Sequence, residues 1–256
     1  MLKRVAFSDR VLAAQRSDAP LRLLPDVTVI KLGGQSIIDR GAAAVLPLIQ
    51  VLRNVREPLV ICTGGGTRAR HAYHLGVELG LPTGVLARLG AAVAKQNARM
   101  VQMLLADRGG VYVPDELFEQ LPAFVRSGQL PVLAGMPPYG YWTTPPAAGR
   151  IPEYRTDAGS FLTAEAIGAR AMIYVKDEDG MYATDPKKDP SAELFGDLSV
   201  DQLRQMDLPD LIVERCLLDL LQGAHLLREV RIVNGLRPEL LARALAGEQT
   251  GVRIYA

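Results

Sequence analysis

Lys31 stands just ahead of a glycine pair, Gly33-Gly34, and a second glycine run, Gly64-Gly65-Gly66, follows in the next unit of the chain. Each run ends an apolar stretch, Val27-Thr28-Val29-Ile30 or Leu59-Val60-Ile61-Cys62, and each precedes a helical pattern. A strand-to-helix turn of this kind aims free backbone N–H groups and the positive end of a helix at one point, which suits an oxyanion. Glycine matters there because a Cβ would hold phosphate off the backbone. Neither run is a GxxxxGK[ST] P-loop or a GxGxxG fingerprint, and a tight turn that uses glycine only for its dihedrals is the plain alternative.

A third segment runs from Val175-Lys176-Asp177-Glu178-Asp179-Gly180-Met181-Tyr182 to Asp185-Pro186. Its carboxylates suit Mg²⁺ and Tyr182 suits an adenine pocket. An Asp-Gly turn followed by an Asp-Pro turn accounts for the same residues without any ligand. His71 and His74 fall i, i+3 on the second predicted helix near Arg68 and Arg70 and so share a face, either as an oxyanion or metal site or as ordinary surface histidines. His225 is placed to serve a helix C-terminus. Cys62 and Cys216 are too few for a disulfide framework or a thiolate metal site.

These residues need a scaffold of alternating strands and helices. The pattern predicts a helix over 39–53 with Ala43, Leu46, Ile49 and Val51 facing a sheet. A helix capped by Thr67 runs to about Leu79, and after Gly80-Leu81-Pro82 a longer one reaches about Asp107. Residues 116–127 read as helical and 130–134 as a strand. A Pro-rich loop over 135–155 carries the only Trp and reads as a lid or assembly surface. A helix from Thr156-Asp157 to about Gly168, a strand over 171–175 and the polar loop follow. A helix near 212–227, a strand over 230–233, a helix over 238–246 and a strand over 252–255 complete the chain. The expectation is an N-terminal arm, residues 1–25, and one α/β domain, residues 26–256, with a mostly parallel sheet.

The 256 residues suffice for a sizeable core. With 48% hydrophobic and 22% charged residues, a disordered chain is excluded. A formal charge of +1 gives no field to draw in nucleic acid. No apolar run is long enough for a membrane span, and Arg10 and Arg16 interrupt the start as they would not in a signal peptide, so the expected compartment is cytoplasmic.

Five ordered motifs, KLGG at 31–34, TGGGTRAR at 63–70, YRTDAG at 154–159, DGMYATDP at 179–186 and IVNG with GEQTGVRI near the end, resemble the amino-acid kinase superfamily and its uridylate-kinase-like branch. The resemblance covers almost the whole chain from about Leu24. VIKLGGQSIIDRGAAAV, GMPPYGYW, YRTDAGSFL, VKDEDGMYATDP and RALAGE are similar to the molybdenum storage proteins of that branch, most nearly the β type. The resemblance implies a three-layer αβα sandwich and a hexameric cage, of one chain type or with a related α-type subunit. Such a cage binds Mg-ATP and packs molybdate or tungstate as polyoxometalate clusters. It places ATP on Lys31, Gly33, Gly34 and Gly66 with Arg70 nearby, and on Lys176, Asp179, Gly180, Tyr182 and Asp185. Gly65, Thr156 and Asp157 match the acceptor side, where an oxyanion would sit.

Three departures argue against UMP kinase activity. Gly90-Ala91 replaces a Gly-Asp pair that fixes the UMP ribose, Asp177 stands where the T-K-V-D-G loop has lysine, and Cys216 replaces a lysine three residues before Asp219. Phosphoryl transfer needs cations around the transferring group. Lys31 remains, with Lys176 as the candidate substitute. The storage reading in turn has few histidines to anchor clusters. Three functions follow: an ATP-driven oxyanion store, a small-molecule kinase, or a non-hydrolysing ATP-binding partner subunit.

Overall fold

The computed structural model describes residues 20–139 and 151–256. The expected arm, apart from its last residues, and the centre of the Pro-rich loop with Trp142 lie outside the described residues. In chain order the strands are β1 Thr28–Leu32, β2 Leu59–Thr63, β3 Gly110–Tyr112, β4 Leu130–Ala134, β5 Ala171–Lys176, β6 Leu198–Ser199, β7 Glu229–Asn234 and β8 Val252–Tyr255. The helices are α1 Ala42–Asn54, α2 Gly66–Glu78, α3 Thr83–Leu104, α4 Leu121–Arg126, α5 Thr156–Ala166, α6 Val200–Met206, α7 Leu217–Gly223 and α8 Pro238–Leu245. They flank one sheet of order β3-β4-β2-β1-β5-β7-β8-β6, in which only the β7–β8 pair is antiparallel.

β1 and β2 are buried at every position, as parallel strands covered on both faces must be. Alternation divides the core. Val29, Val60, Met172 and Tyr174 face one layer with Phe161 of α5, Val125 of α4 and Leu217 of α7. Ile30, Ile61, Ile173 and Val233 face the other, with Leu48 of α1, Val101 of α3 and Leu241 of α8. Each fully buried aliphatic side chain contributes about 1.5–3 kcal/mol. The result is the expected three-layer αβα sandwich.

Several local expectations change. α1 starts at Ala42 after a 3₁₀ turn over Ile38–Arg40, and its inward residues are Ala44, Leu48, Ile49 and Leu52, while Leu46 is 50% exposed. The helix predicted over 116–127 is a 3₁₀ stretch, Asp115–Gln120, passing into the short α4. The one near 212–227 contracts to α7, because Glu214 and Cys216 lie in an irregular segment ahead of it. β3, β6 and α6 were not expected. α6 carries a complete capping box, Ser199 with Gln202, that is visible in the sequence as S-x-x-Q. Leu24, inside the expected arm, is buried, and its N–H donates to the Ile167 carbonyl at 2.8 Å.

Candidate phosphate-binding site

Period-two alternation decides where the lysines go. Lys31 continues the row of Val29, and Lys176 continues the row of Met172 and Tyr174, so both face α5 at the C-terminal ends of adjacent strands. The register pairs Lys31 with Tyr174, which leaves Lys176 two positions further along. Asp157, in the first turn of α5, meets them both. Lys31 Nζ lies 2.5 Å from Asp157 Oδ1, and Lys176 Nζ lies 2.9 Å from Oδ2. The Tyr174 hydroxyl donates to the Asp157 carbonyl at 2.8 Å.

All three charged residues are buried, at 4% exposure for Lys31 and Asp157 and 8% for Lys176. Burial opposes ionisation of Asp157, but the charges of Lys176 and Lys31 outweigh it and hold the carboxyl well below the usual carboxylate range. Burial pushes the Lys176 ammonium down, with Asp157 working against that shift. Lys176, not Asp177, therefore brings a second cation to the place beside Lys31. Asp177 points elsewhere, accepting from Arg40 and Lys187 at 2.6 Å each.

The glycine runs meet directly above these lysines. A Cβ on Gly34 would stand 2.2 Å from the Gly66 nitrogen, and one on Gly64 would stand 2.5 Å from the Gly34 nitrogen and 3.3 Å from Lys31 Nζ. No other residue type allows the loops to approach so closely. Gly33 N–H donates to the Val175 carbonyl, Gly64 N–H to the Leu32 carbonyl and Gly235 N–H to the Lys176 carbonyl, tying the loops to the strand ends. Asn97, buried on α3, donates to the Gly64 carbonyl at 2.6 Å and accepts from Arg68. This backbone cradle beside a buried ammonium fits a phosphate chain.

Not every expected site residue joins it. Gly65, not Thr67, takes the position before α2, and Asp39 supplies the cap by accepting from Thr67 N–H at 2.5 Å. Arg70, His71 and His74 lie on the exposed face of α2, with His74 Nε2 3.4 Å from Glu78 Oε1. Asp179 accepts from Asn234 at 3.1 Å and from Arg237 at 3.3 Å. A Cβ on Gly180 would meet Val252 at 2.4 Å, so that glycine serves packing against β8. Asp185 accepts from the Lys187 N–H in a local turn, and Tyr182 forms an isolated bridge with Leu194. The carboxylates expected to hold Mg²⁺ are thus engaged by protein cations and amides. Among the described residues no three or more His, Cys, Asp or Glu side chains are placed to share a metal ion, so Mg²⁺ held here would rest on one or two carboxylates together with nucleotide phosphates.

On the acceptor side, Thr156 begins α5, and the amides beside it are already engaged. The Glu214 carboxylate accepts from the backbone N–H groups of Arg155, Asp157 and Ala158 at 2.9, 3.1 and 3.1 Å. Nothing in the sequence marks Glu214, Asp39 or Asn97 for these positions, since each acts across a long stretch of chain. Near the replaced ribose-binding position, a Cβ on Gly90 would stand 2.0 Å from the Tyr73 hydroxyl oxygen, and Ala91 packs with Ala87 and Met136. Burial, with Glu214 adding to it, pushes the Cys216 thiol up to about 12, so Cys216 offers neither a thiolate nor a cation at its position. His225 follows the end of α7, and its N–H donates to Glu165 at 2.7 Å.

The amino acid kinase family model matches residues 26–225. The chain is 48% identical over its whole length, and over 96% of the relative, to the molybdenum storage protein subunit beta of Azotobacter vinelandii. It is 31% identical to a uridylate kinase of Hyperthermus butylicus, over 87% of this chain and 95% of that one. The uridylate kinase of Archaeoglobus fulgidus superposes with a TM-score of 0.69 at 23% identity, covering 89% of this chain and 99% of that one, which establishes likeness of fold. With β1, α5 and the glycine loops all inside the matched region, the chain belongs to the amino acid kinase family.

Proposed function

We propose that this chain is an ATP-binding subunit of an oligomeric store for molybdate or tungstate. The observation that carries this reading is the full-length 48% identity to a molybdenum storage subunit, against 31% to a uridylate kinase. Lys31, Lys176 and the amides of Gly34 and Gly66 would hold the nucleotide phosphates, with Asp157 fixing the two ammonium groups and Gly33, whose N–H is spent on the Val175 carbonyl, giving the loop its close approach. Mg²⁺ would arrive with the nucleotide's own phosphates. ATP supplies the free energy of its phosphoanhydride bond, and the protein's part is to orient that chain and offset its charge. Molybdate condensation consumes protons and releases water, so a closed cage that limits water would protect the clusters from hydrolysis.

One observation favours a second reading, a small-molecule kinase. Lys176 reaches Asp157, which keeps two cations at the phosphate cradle. The apolar surroundings of Ala91 count against a nucleoside acceptor. Incubation with Mg-ATP and molybdate, desalting and elemental analysis separate the readings. Many molybdenum atoms per chain, dependent on ATP, support storage by this chain alone. About one or none overturns that. ADP release stimulated by a particular acceptor would then mark a kinase, while bound, unhydrolysed nucleotide would mark a partner-dependent subunit.

A further inference from the structure

We propose that Asp177 is a positioning residue that straps the segment 177–187 to the turn after the first glycine pair and so holds one wall of the nucleotide site in place. What the wall faces rests on the nucleotide reading above; the strap itself rests on ion pairs alone. Asp177 comes directly after Lys176, and alternation turns it the other way. Lys176 faces α5, whereas Asp177 follows the row of Ile173 and Val175 toward α1. There its Oδ2 accepts from Arg40, 137 residues away at the end of the 3₁₀ turn, and from Lys187, ten residues further on, at 2.6 Å each. Lys187 Nζ also lies 3.1 Å from Glu178 Oε1, and the Lys187 N–H donates to Asp185 Oδ1 at 3.0 Å. The segment is thereby folded back on its own beginning.

The turn that receives the strap is itself fixed to both glycine runs. The N–H groups of Ile38 and Asp39 donate to the carbonyls of Gly33 and Gly34 at 3.0 and 2.9 Å. The Asp39 carboxylate accepts from the Thr67 N–H at the start of α2. Residues 38–40 thus join three segments, the two glycine runs and the one that leaves β5 beside Lys176. Exposed ion pairs are ordinarily worth little, but the Asp177 side chain is only 10% exposed and two cations share one of its oxygens. Burial opposes its ionisation, yet the hydrogen bonds from Lys187 and Arg40 outweigh that and keep the carboxyl below its ordinary range. A lysine at this position, as in the T-K-V-D-G loop, could accept from neither cation. The strap therefore belongs to this chain's departure from that pattern.

The test exploits two expectations of opposite sign. Removing a negative charge from beside a polyanion site tightens binding if the charge acts by its field alone. Loss of a strap weakens binding, because the wall must then be ordered by the ligand. Mg-ATP is titrated calorimetrically into the full chain, and hydrogen exchange of residues 179–188 is followed without nucleotide. Asp177→Asn should weaken ATP binding roughly 3- to 10-fold and speed exchange in that segment, and Asp177→Glu should restore most of both. Added to Arg40→Gln with Lys187→Gln, Asp177→Asn should change neither reading further. Unchanged or tighter ATP binding by a folded Asp177→Asn would overturn the proposal, as would unchanged exchange or a full additional effect in the combined variant. Should Asp177→Asn not fold, Arg40→Gln with Lys187→Gln takes its place, altered only at exposed side chains, and unchanged exchange there overturns the strap. A wild type that binds no ATP would remove the nucleotide reading instead. Exchange alone would then decide the strap, and equal rates in wild type and Asp177→Asn would end it.

Discussion

Lys31 and Asp157 stand 126 residues apart in the chain and 2.5 Å apart in space, joined because β1 delivers the lysine to the same layer boundary where α5 begins. The pair is buried, so its value depends on satisfying both charges. Lys176 takes the second carboxylate oxygen, so both acceptors of Asp157 are engaged by ammonium groups. A cation held this way is pre-oriented toward the glycine loops, and no reorganisation is needed when phosphate arrives.

Lys31→Met should therefore weaken ATP binding. Loss of one charge-assisted contact costs about 1.5–3 kcal/mol, or roughly 10- to 150-fold in Kd. Isothermal titration of ATP into wild type and variant reads this directly. An unchanged Kd would remove Lys31 from the nucleotide site.

Asp157→Asn should be the more damaging change, because it leaves two buried ammonium groups without a carboxylate between them. Breaking a buried pair costs about 3–5 kcal/mol. The pH dependence fixes the cause. Asp157 titrates below its ordinary 3.8 in the folded state, so the unfolded chain binds more protons in that range. Its stabilisation is complete above 3.8 and is lost as pH falls through the depressed folded value. Urea midpoints followed downward through this window should fall more steeply for wild type than for Asp157→Asn. Parallel slopes would mean that Asp157 is not held ionised by the lysines.

Glu214 predicts the opposite slope. Burial and the charge of Asp157 raise its carboxyl above the ordinary 4.5. Its contribution to stability is present below 4.5 and is lost as pH rises through the raised folded value. Glu214→Gln loses acceptor capacity at the amides, yet it also loses this pH-dependent penalty. The stability difference between variant and wild type should accordingly move in favour of the variant as pH rises from 4.5. Denaturant midpoints at matched pH values test the trend, and a constant difference would contradict it.

What the sequence could disclose follows from the range of each interaction. The strands that carry the site were legible because β-branched runs ending in glycine are local signals, and so was the placement of Lys31 and of the glycines. The inward face of α1 was misjudged because its apolar residues, including Leu46, surround more of the helix than the sheet can cover. Lys176 was visible only as a candidate substitute. Its role depends on the alternation of β5 past Tyr174, a matter of strand register. Asp39, Asn97 and Glu214 were not legible at all. Each meets a backbone group of another element, 28 to 59 residues away, and no local pattern records such a pairing.

The glycines allow steric and conformational effects to be separated by substitution. Gly41 has φ +71° with nothing within 4 Å of an added Cβ, so Gly41→Ala carries backbone strain alone, about 1 kcal/mol or somewhat more. It should lower Tm by several degrees, on the order expected for such a loss, and leave the Kd for ATP unchanged. Gly66 combines φ +72° with an Asp39 carboxylate oxygen 2.5 Å from the added Cβ, so Gly66→Ala should both lower Tm and weaken ATP binding. At Gly34 the glycine loop itself supplies the obstruction, with the Gly66 nitrogen 2.2 Å from the added Cβ. Gly34→Ala must push the two loops apart, and the amides then no longer converge beside Lys31. Its expected signature is a loss of ATP binding out of proportion to its loss of Tm, set against Gly41→Ala as the reference for strain. Calorimetric Tm and titrated Kd for the three variants give the comparison. Wild-type affinity in a folded Gly34→Ala would show that ATP, if bound, does not use the place where the glycine loops meet.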